Sequence, residues 1–271
     1  MNDTVFAFSL TIIAGLATGI GGLVVLFSKI TNKKFLSACL SFSAGVMLYI
    51  AFAEIFVEAL ETLEYVHGEG TGYLIATAAF FIGIALMAVI DKFLPHEDTV
   101  MEISTSEPAS PAKAEKELKR TGIMSGIAIA IHNFPEGLIT FIAAMYDPAM
   151  GIAIAIAIII HNIPEGISVA APIYYSTGSK AKALLSAIST GLTEPLGALV
   201  AWFLLQNIFD TIDAGVFGII FAVVGGIMVF VSIHQLLPAA HKYGKHHLVM
   251  KWLFAGMVVM ATSLVILEFV F

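Results

Sequence analysis

Two stretches of this chain, His132-Asn133-Phe134-Pro135-Glu136-Gly137 and His161-Asn162-Ile163-Pro164-Glu165-Gly166, share the pattern His-Asn-x-Pro-Glu-Gly, 29 residues apart. Within each copy the His and Glu are four residues apart, so on a helix they stack on one face. Two such helices packed together offer two imidazoles and two carboxylates to one small volume. That donor set suits a divalent ion such as zinc, iron(II), manganese or cobalt. Asn133 and Asn162, one residue further on, point about 100° away and can give amide oxygens to a neighbouring site.

The prolines and glycines belong to the same pattern. Pro135 and Pro164 lack an N–H, so the carbonyls of Ile131 and Ile160 lose their helical partners and kinks are expected. In lipid such a carbonyl must face protein or a wet cavity, which predicts a water- or ion-accessible space at this level. Gly137 and Gly166 permit close helix approach beside it.

The elements that carry these residues are membrane spans. The chain has 271 residues, 59% hydrophobic and only 12% charged, with mean hydropathy +0.94. Soluble domains carry about 25% charged residues, so an ordinary globular enzyme is excluded. Net charge is -7 and nucleic-acid binding is not expected. Cys39 is the only cysteine and cannot make an internal disulfide or a thiolate cluster.

Apolar stretches long enough to cross a bilayer recur at 4–28, 35–53, 72–90, 121–146, 149–175, 183–206, 214–237 and 252–267. The expected fold is therefore an all-α integral membrane protein of eight transmembrane helices, one domain over residues 1–271. The first span has no basic residues before it and is expected to be retained rather than cleaved. Lys and Arg fall only after spans one, three, five and seven, while Glu61, Glu64, Glu69, Asp147, Asp210 and Asp213 occupy the other connections. The positive-inside rule then puts both termini outside. Residues 91–120 read as a disordered cytoplasmic loop, polar and mixed in charge. His96, beside Glu97 and Asp98, reads as a solvated histidine of that loop.

An internal repeat organises the spans. Residues 15–24 align with 191–200, and residues 45–50 with 226–231, so spans one and two correspond to spans six and seven. A shift of five spans reverses direction, which gives an inverted repeat, spans 1–3 and 6–8, around a central two-helix pair, spans 4–5. Transporters built this way bind cargo near the midplane.

Glu54, Glu136, Glu165 and Glu194 all lie within spans, where each ionised group costs on the order of 3 kcal/mol. No Lys or Arg lies within a span to neutralise them, and a bound divalent cation would. Glu194, before Pro195, is the candidate fifth side-chain ligand after His132, Glu136, His161 and Glu165. Weaker candidates are Glu54 in span two and His234-Gln235 in span seven, which occupy matching places in the repeat and could form an entry or exit station. His241, His246 and His247 read as solvated loop histidines with metal handover as the alternative. Met47, Met228, Met145 and Phe141 read as packing.

At these residues the sequence resembles the ZIP family of divalent-metal transporters, through residues 132–137, 161–166, 193–197 and 43–49. The resemblance covers nearly the whole chain. It implies uptake of zinc, with iron, manganese, cobalt and cadmium as further cargo, into the cytoplasm across the plasma membrane. No cofactor is implied: the metal is what is carried. It also implies a two-metal site, one position using His132, Glu136, His161 and Glu165. The second would use Asn133, Asn162 and Glu194, with Glu136 or Glu165 bridging. Homodimers are common in that family. Two features depart from its pattern: the loop between spans three and four lacks a His cluster, and span seven has His234-Gln235 where an acidic residue is expected. The alternatives are a membrane-embedded metalloenzyme, although neither motif helix carries the His-Glu-x-x-His of a zinc protease, and an exporter using the same ligands.

Overall fold

The structure, a computed structural model, describes residues 3–27, 33–93, 111–207 and 213–270. These form eight long helices: α1 Asp3–Phe27, α2 Lys33–His67, α3 Glu69–Phe93, α4 Pro111–Tyr146, α5 Pro148–Thr177, α6 Lys180–Asn207, α7 Ala214–Tyr243 and α8 His246–Val270. Each is long and apolar enough to cross a membrane, and they correspond one to one with the eight expected spans. Outward faces carry exposed Ile12, Phe81, Leu185, Phe203 and Val258, while Phe141, Phe217 and Phe221 fill the interior. That inversion of the soluble pattern is what a lipid-facing surface requires, because backbone polar groups are satisfied inside each helix.

The connections reverse the chain tightly. Gly68 (φ 84) follows α2, and Gly178 (φ 63) ends α5 with its N–H donating to the Tyr174 carbonyl, a left-handed conformation that favours glycine. Asp147 alone separates α4 from α5, and its side chain accepts from the Ala149 N–H. As a result Lys33, Lys92, Arg120, Lys180, Lys242 and Lys245 collect at one end of the bundle, and Glu61, Glu64, Glu69, Asp147 and Asp213 at the other.

Both ends of the expected 91–120 loop are helical. Residues 91–93 continue α3, and α4 begins at Pro111. Proline at the first helical position followed by Ala, Lys, Glu and Leu explains the early start, since these are strong helix formers. The remainder, with His96, Glu97 and Asp98, lies outside the described residues.

The inverted repeat appears as matched glycine contacts. A Cβ added at Gly21 would strike the Ile163 carbonyl oxygen, and one at Gly166 that of Thr18. The repeat-related pair is Gly197 against Phe134 and Gly137 against Glu194. Gly45 meets Leu253 and Gly256 meets Phe42, whereas Gly226 meets Phe80 and Gly83 meets Val223. Thus α1 packs on α5 as α6 packs on α4, and α2 packs on α8 as α7 packs on α3. The third and eighth spans correspond as well, as the 1–3 and 6–8 repeat expects. Even the local irregularities match: α2 widens to a π-helix at Ala51–Ile55 and α7 at Ser232–Leu236, the segments that follow the aligned 45–50 and 226–231. Such π segments frequently mark functional sites, and they carry Glu54 in one case and His234 and Gln235 in the other.

Candidate metal centre

The two motif helices pack against each other with α1 and α6 closing around them through the glycine contacts above. This brings His132, Asn133, Glu136, His161, Asn162, Glu165 and Glu194 into one interior, each at most 1% exposed. The four-residue spacing puts His and Glu of each motif on the facing side, and the pairs form across the helices. His132 Nε2 lies 3.2 Å from Glu165 Oε2, and His161 Nε2 lies 3.2 Å from Glu136 Oε2. Ring orientation of His161 is set by its Nδ1, 3.0 Å from the Ala157 carbonyl. A carbonyl only accepts, so Nδ1 carries a proton toward Ala157 and the ring is oriented with Nε2 toward the Glu136 carboxylate.

The asparagines gather at Glu194. Asn162 Nδ2 donates to Glu194 Oε1 at 2.5 Å and to the Ala14 carbonyl at 2.9 Å. Asn133 Nδ2 donates to the Thr190 carbonyl at 3.4 Å and reaches Glu194 Oε1 at 3.5 Å. With both nitrogens committed to acceptors, both Oδ1 atoms are left as donors of electron density. Glu194 also interacts electrostatically with Glu136 and Glu165, so three buried carboxylates share one low-dielectric volume.

The donor chemistry fits a divalent cation. Glu136 Oε1, Glu194 Oε2, Asn133 Oδ1, Asn162 Oδ1 and His132 Nδ1 are buried and have no hydrogen-bond partner. Four of these five atoms are oxygens that only accept, and a further protein donor could satisfy them only by adding bulk to a packed interior. Such atoms are metal-ligand types, and a cation among them would offset the carboxylate charge. Among the described residues, no three His, Cys, Asp or Glu side chains already converge as a preformed cage. The imidazoles and carboxylates are instead paired by hydrogen bonds that ligation would replace.

Two spaces border the helices of the centre. Pro135 borders a cavity of about 660 Å³ whose lining is apolar apart from Thr193, bounded by Leu86, Phe134 and Val223 among others. A second, smaller crevice of about 250 Å³ is lined by Ser186, Ser189 and Thr190 together with Gly122 and Gly126, toward the lysine-bearing end. It reaches Thr190, whose carbonyl holds Asn133.

The weaker candidates do not form one station. In α2, Ser43 touches the centre, and Glu54 lies about three turns further toward the acidic end. His234 and Gln235 sit toward the lysine-bearing end, where a residue not singled out from sequence joins them. Asp91 Oδ1 accepts from Gln235 Nε2 at 3.0 Å, and its Oδ2 lies 3.4 Å from His234 Nδ1. Its position at the very end of an apolar span, next to Lys92, was the available signal. Ser43 was a second omission: its hydroxyl donates to Glu165 Oε1 at 3.0 Å from 122 residues away.

Comparisons with known proteins agree on one family. The family described as ZIP Zinc transporter matches residues 96–264. Zinc transporter ZupT of Clostridium perfringens is 50% identical over 98% of this chain and 97% of its own length. Its namesakes from Chlorobaculum parvum (49%, covering 98% and 99%) and Streptococcus mutans (51%, covering 96% and 97%) are similar to the same degree.

Proposed function

This chain belongs to the ZIP zinc transporter family, and we propose that it moves zinc inward across the plasma membrane through the paired motif helices. It is a multi-pass membrane transporter of divalent metal, not an enzyme. The observation that carries the site is the set of orphaned buried oxygens on Glu136, Glu194, Asn133 and Asn162, each beside a residue of the repeated motif.

His132, Glu136, His161 and Glu165 supply the first position. Asn133, Asn162 and Glu194 supply the second, with Glu136 or Glu165 bridging. Iron(II), manganese, cobalt and cadmium are accepted by the same N and O donors, because selectivity among them rests on geometry and availability. The lysine-bearing end is cytoplasmic by the positive-inside rule, which puts both termini outside. The inward direction is taken from the family. In this arrangement a hydrated ion enters from the acidic end and exchanges water for imidazole and carboxylate. It leaves toward the lysine-bearing end, where Asp91, His234 and Gln235 lie. Two copies pair in the bilayer as family members commonly do.

Zinc influx into proteoliposomes holding a trapped fluorescent indicator tests this reading. Native protein should fill the vesicles under an imposed potential or pH gradient, and Glu165→Ala or His161→Ala should abolish the signal while still inserting. Normal influx in both variants would overturn the site, and none from the native protein would overturn the activity.

A further inference from the structure

Three histidines outside the buried centre lie together at the lysine-bearing end. His241 is exposed in the last turns of α7, and His246 and His247 open α8. His241 Nδ1 lies 2.9 Å from the Leu237 carbonyl. As the carbonyl can only accept, Nδ1 is the protonated nitrogen and Nε2 presents its lone pair. That is the orientation metal-ligating histidines adopt when a backbone carbonyl holds the other nitrogen. His241 Nε2 then accepts from His246 Nδ1 at 3.3 Å, and a bound ion would replace that proton between the two nitrogens. Zinc–imidazole bonds of 2.0–2.1 Å in a tetrahedron separate two ligand nitrogens by about 3.4 Å. The pair is therefore spaced to span one ion.

The turn between them is fixed. The Gly244 N–H donates to the Ala240 carbonyl, and the Leu248 and Val249 N–H groups donate to that of Lys245. The two imidazoles are held by hydrogen-bonded backbone on both sides, at ring centroids 5.6 Å apart and 27° from parallel. His247 stands edge-on to His246 with centroids 6.0 Å apart.

We propose that His241 Nε2 and His246 Nδ1 form a second, surface metal site that takes a borderline transition-metal cation such as zinc, cobalt(II) or nickel(II), with water completing the shell. Lys242 and Lys245 flank it and lower its affinity for a cation, so the site exchanges its ion rather than storing it. On the orientation proposed above, it stands two helical turns beyond His234 at the cytoplasmic mouth. Binding itself does not depend on that orientation or on transport.

Equilibrium dialysis of detergent-solubilised full-length protein against zinc measures it. The native chain should hold more zinc than His241→Ala or His246→Ala, each of which weakens this ion at least about tenfold, while His247→Ala keeps it. Both lost histidines are exposed, so the variants fold. In a Glu165→Ala background, cobalt(II) should give visible bands from this site that added His241→Ala or His246→Ala removes. In a Glu165→Ala background, where the buried centre is disabled, the surface ion should persist. Equal zinc in native, His241→Ala and His246→Ala protein would overturn the surface site and leave the transport reading intact. Loss of influx in every Glu165 variant with the surface ion retained would separate the two sites.

Discussion

Gly15 of α1 and Gly191 of α6 meet backbone to backbone: a Cβ on either would strike the carbonyl oxygen of the other. They are equivalent positions of the two halves of the repeat, so this contact lies where the halves exchange. It is reinforced by Thr18, whose hydroxyl donates to the Gly15 carbonyl at 2.6 Å. Ala14, the residue next to Gly15, holds Asn162 through its carbonyl, and Glu194 stands about one turn along from Gly191. The contact therefore sets the spacing at which the centre closes.

Replacing Gly191 by valine should destabilise the bundle, since overpacking against backbone costs about 1–3 kcal/mol or more where nothing can yield. Thermal unfolding in detergent, followed by monodispersity on size exclusion, should show a lowered midpoint. Gly70→Ala is the control, because no atom lies within 4 Å of a Cβ placed there. Equal stability of the two variants would refute the contact.

Ser43 should matter through Glu165 alone. Ser43→Ala removes the hydroxyl that donates to Glu165 Oε1 at 3.0 Å and leaves that oxygen free to turn. Groups that orient metal ligands are worth about 10–100-fold in affinity. The expected outcome is a KM for zinc raised about tenfold with little change in the maximal rate. A lowered maximal rate with unchanged KM would argue for a different role.

Much of this was legible in the sequence, and the reason is lipid. Spans must be continuous, apolar and about 20 residues long, so hydropathy fixes their number. Within them His132, Glu136, His161, Glu165 and Glu194 stood out because an uncompensated polar group at that depth is costly. Less visible was anything that depends on three-dimensional pairing of weakly polar groups. Ser43 looks like packing filler in Ser41-Phe42-Ser43-Ala44-Gly45, and only its approach to Glu165 gives it a role. Asp91 looks like a headgroup-level carboxylate until α3 is laid beside α7. The π segments left no trace in residue type.

Asp91 should influence the rate of passage rather than binding at the centre. Asp91→Asn keeps an acceptor for Gln235 Nε2 but removes the negative charge beside His234. A cation leaving toward the lysines would lose a carboxylate at that end. Initial influx rates at saturating zinc should fall several-fold while zinc binding to the purified protein is unchanged. Unaltered rates would remove Asp91, His234 and Gln235 from the exit route.

Asn162 offers a test of the cation itself. Its amide nitrogen donates to the Ala14 carbonyl and to Glu194 Oε1, and an aspartate there would turn carboxylate oxygens toward both acceptors. A buried group left unsatisfied costs about 1–3 kcal/mol, and more when charged. In chelator, Asn162→Asp should therefore unfold at a lower temperature than the native chain. The added carboxylate also strengthens the field that holds a divalent ion. Binding to the folded state alone stabilises it by about 2.7 kcal/mol at a hundred times Kd, so zinc should raise the midpoint of Asn162→Asp by more than that of native protein. Asn162→Leu lacks both the donor and the charge, and its midpoint should respond to zinc less than native. If zinc shifted all three equally, the bound ion would have to lie away from Asn162 and Glu194.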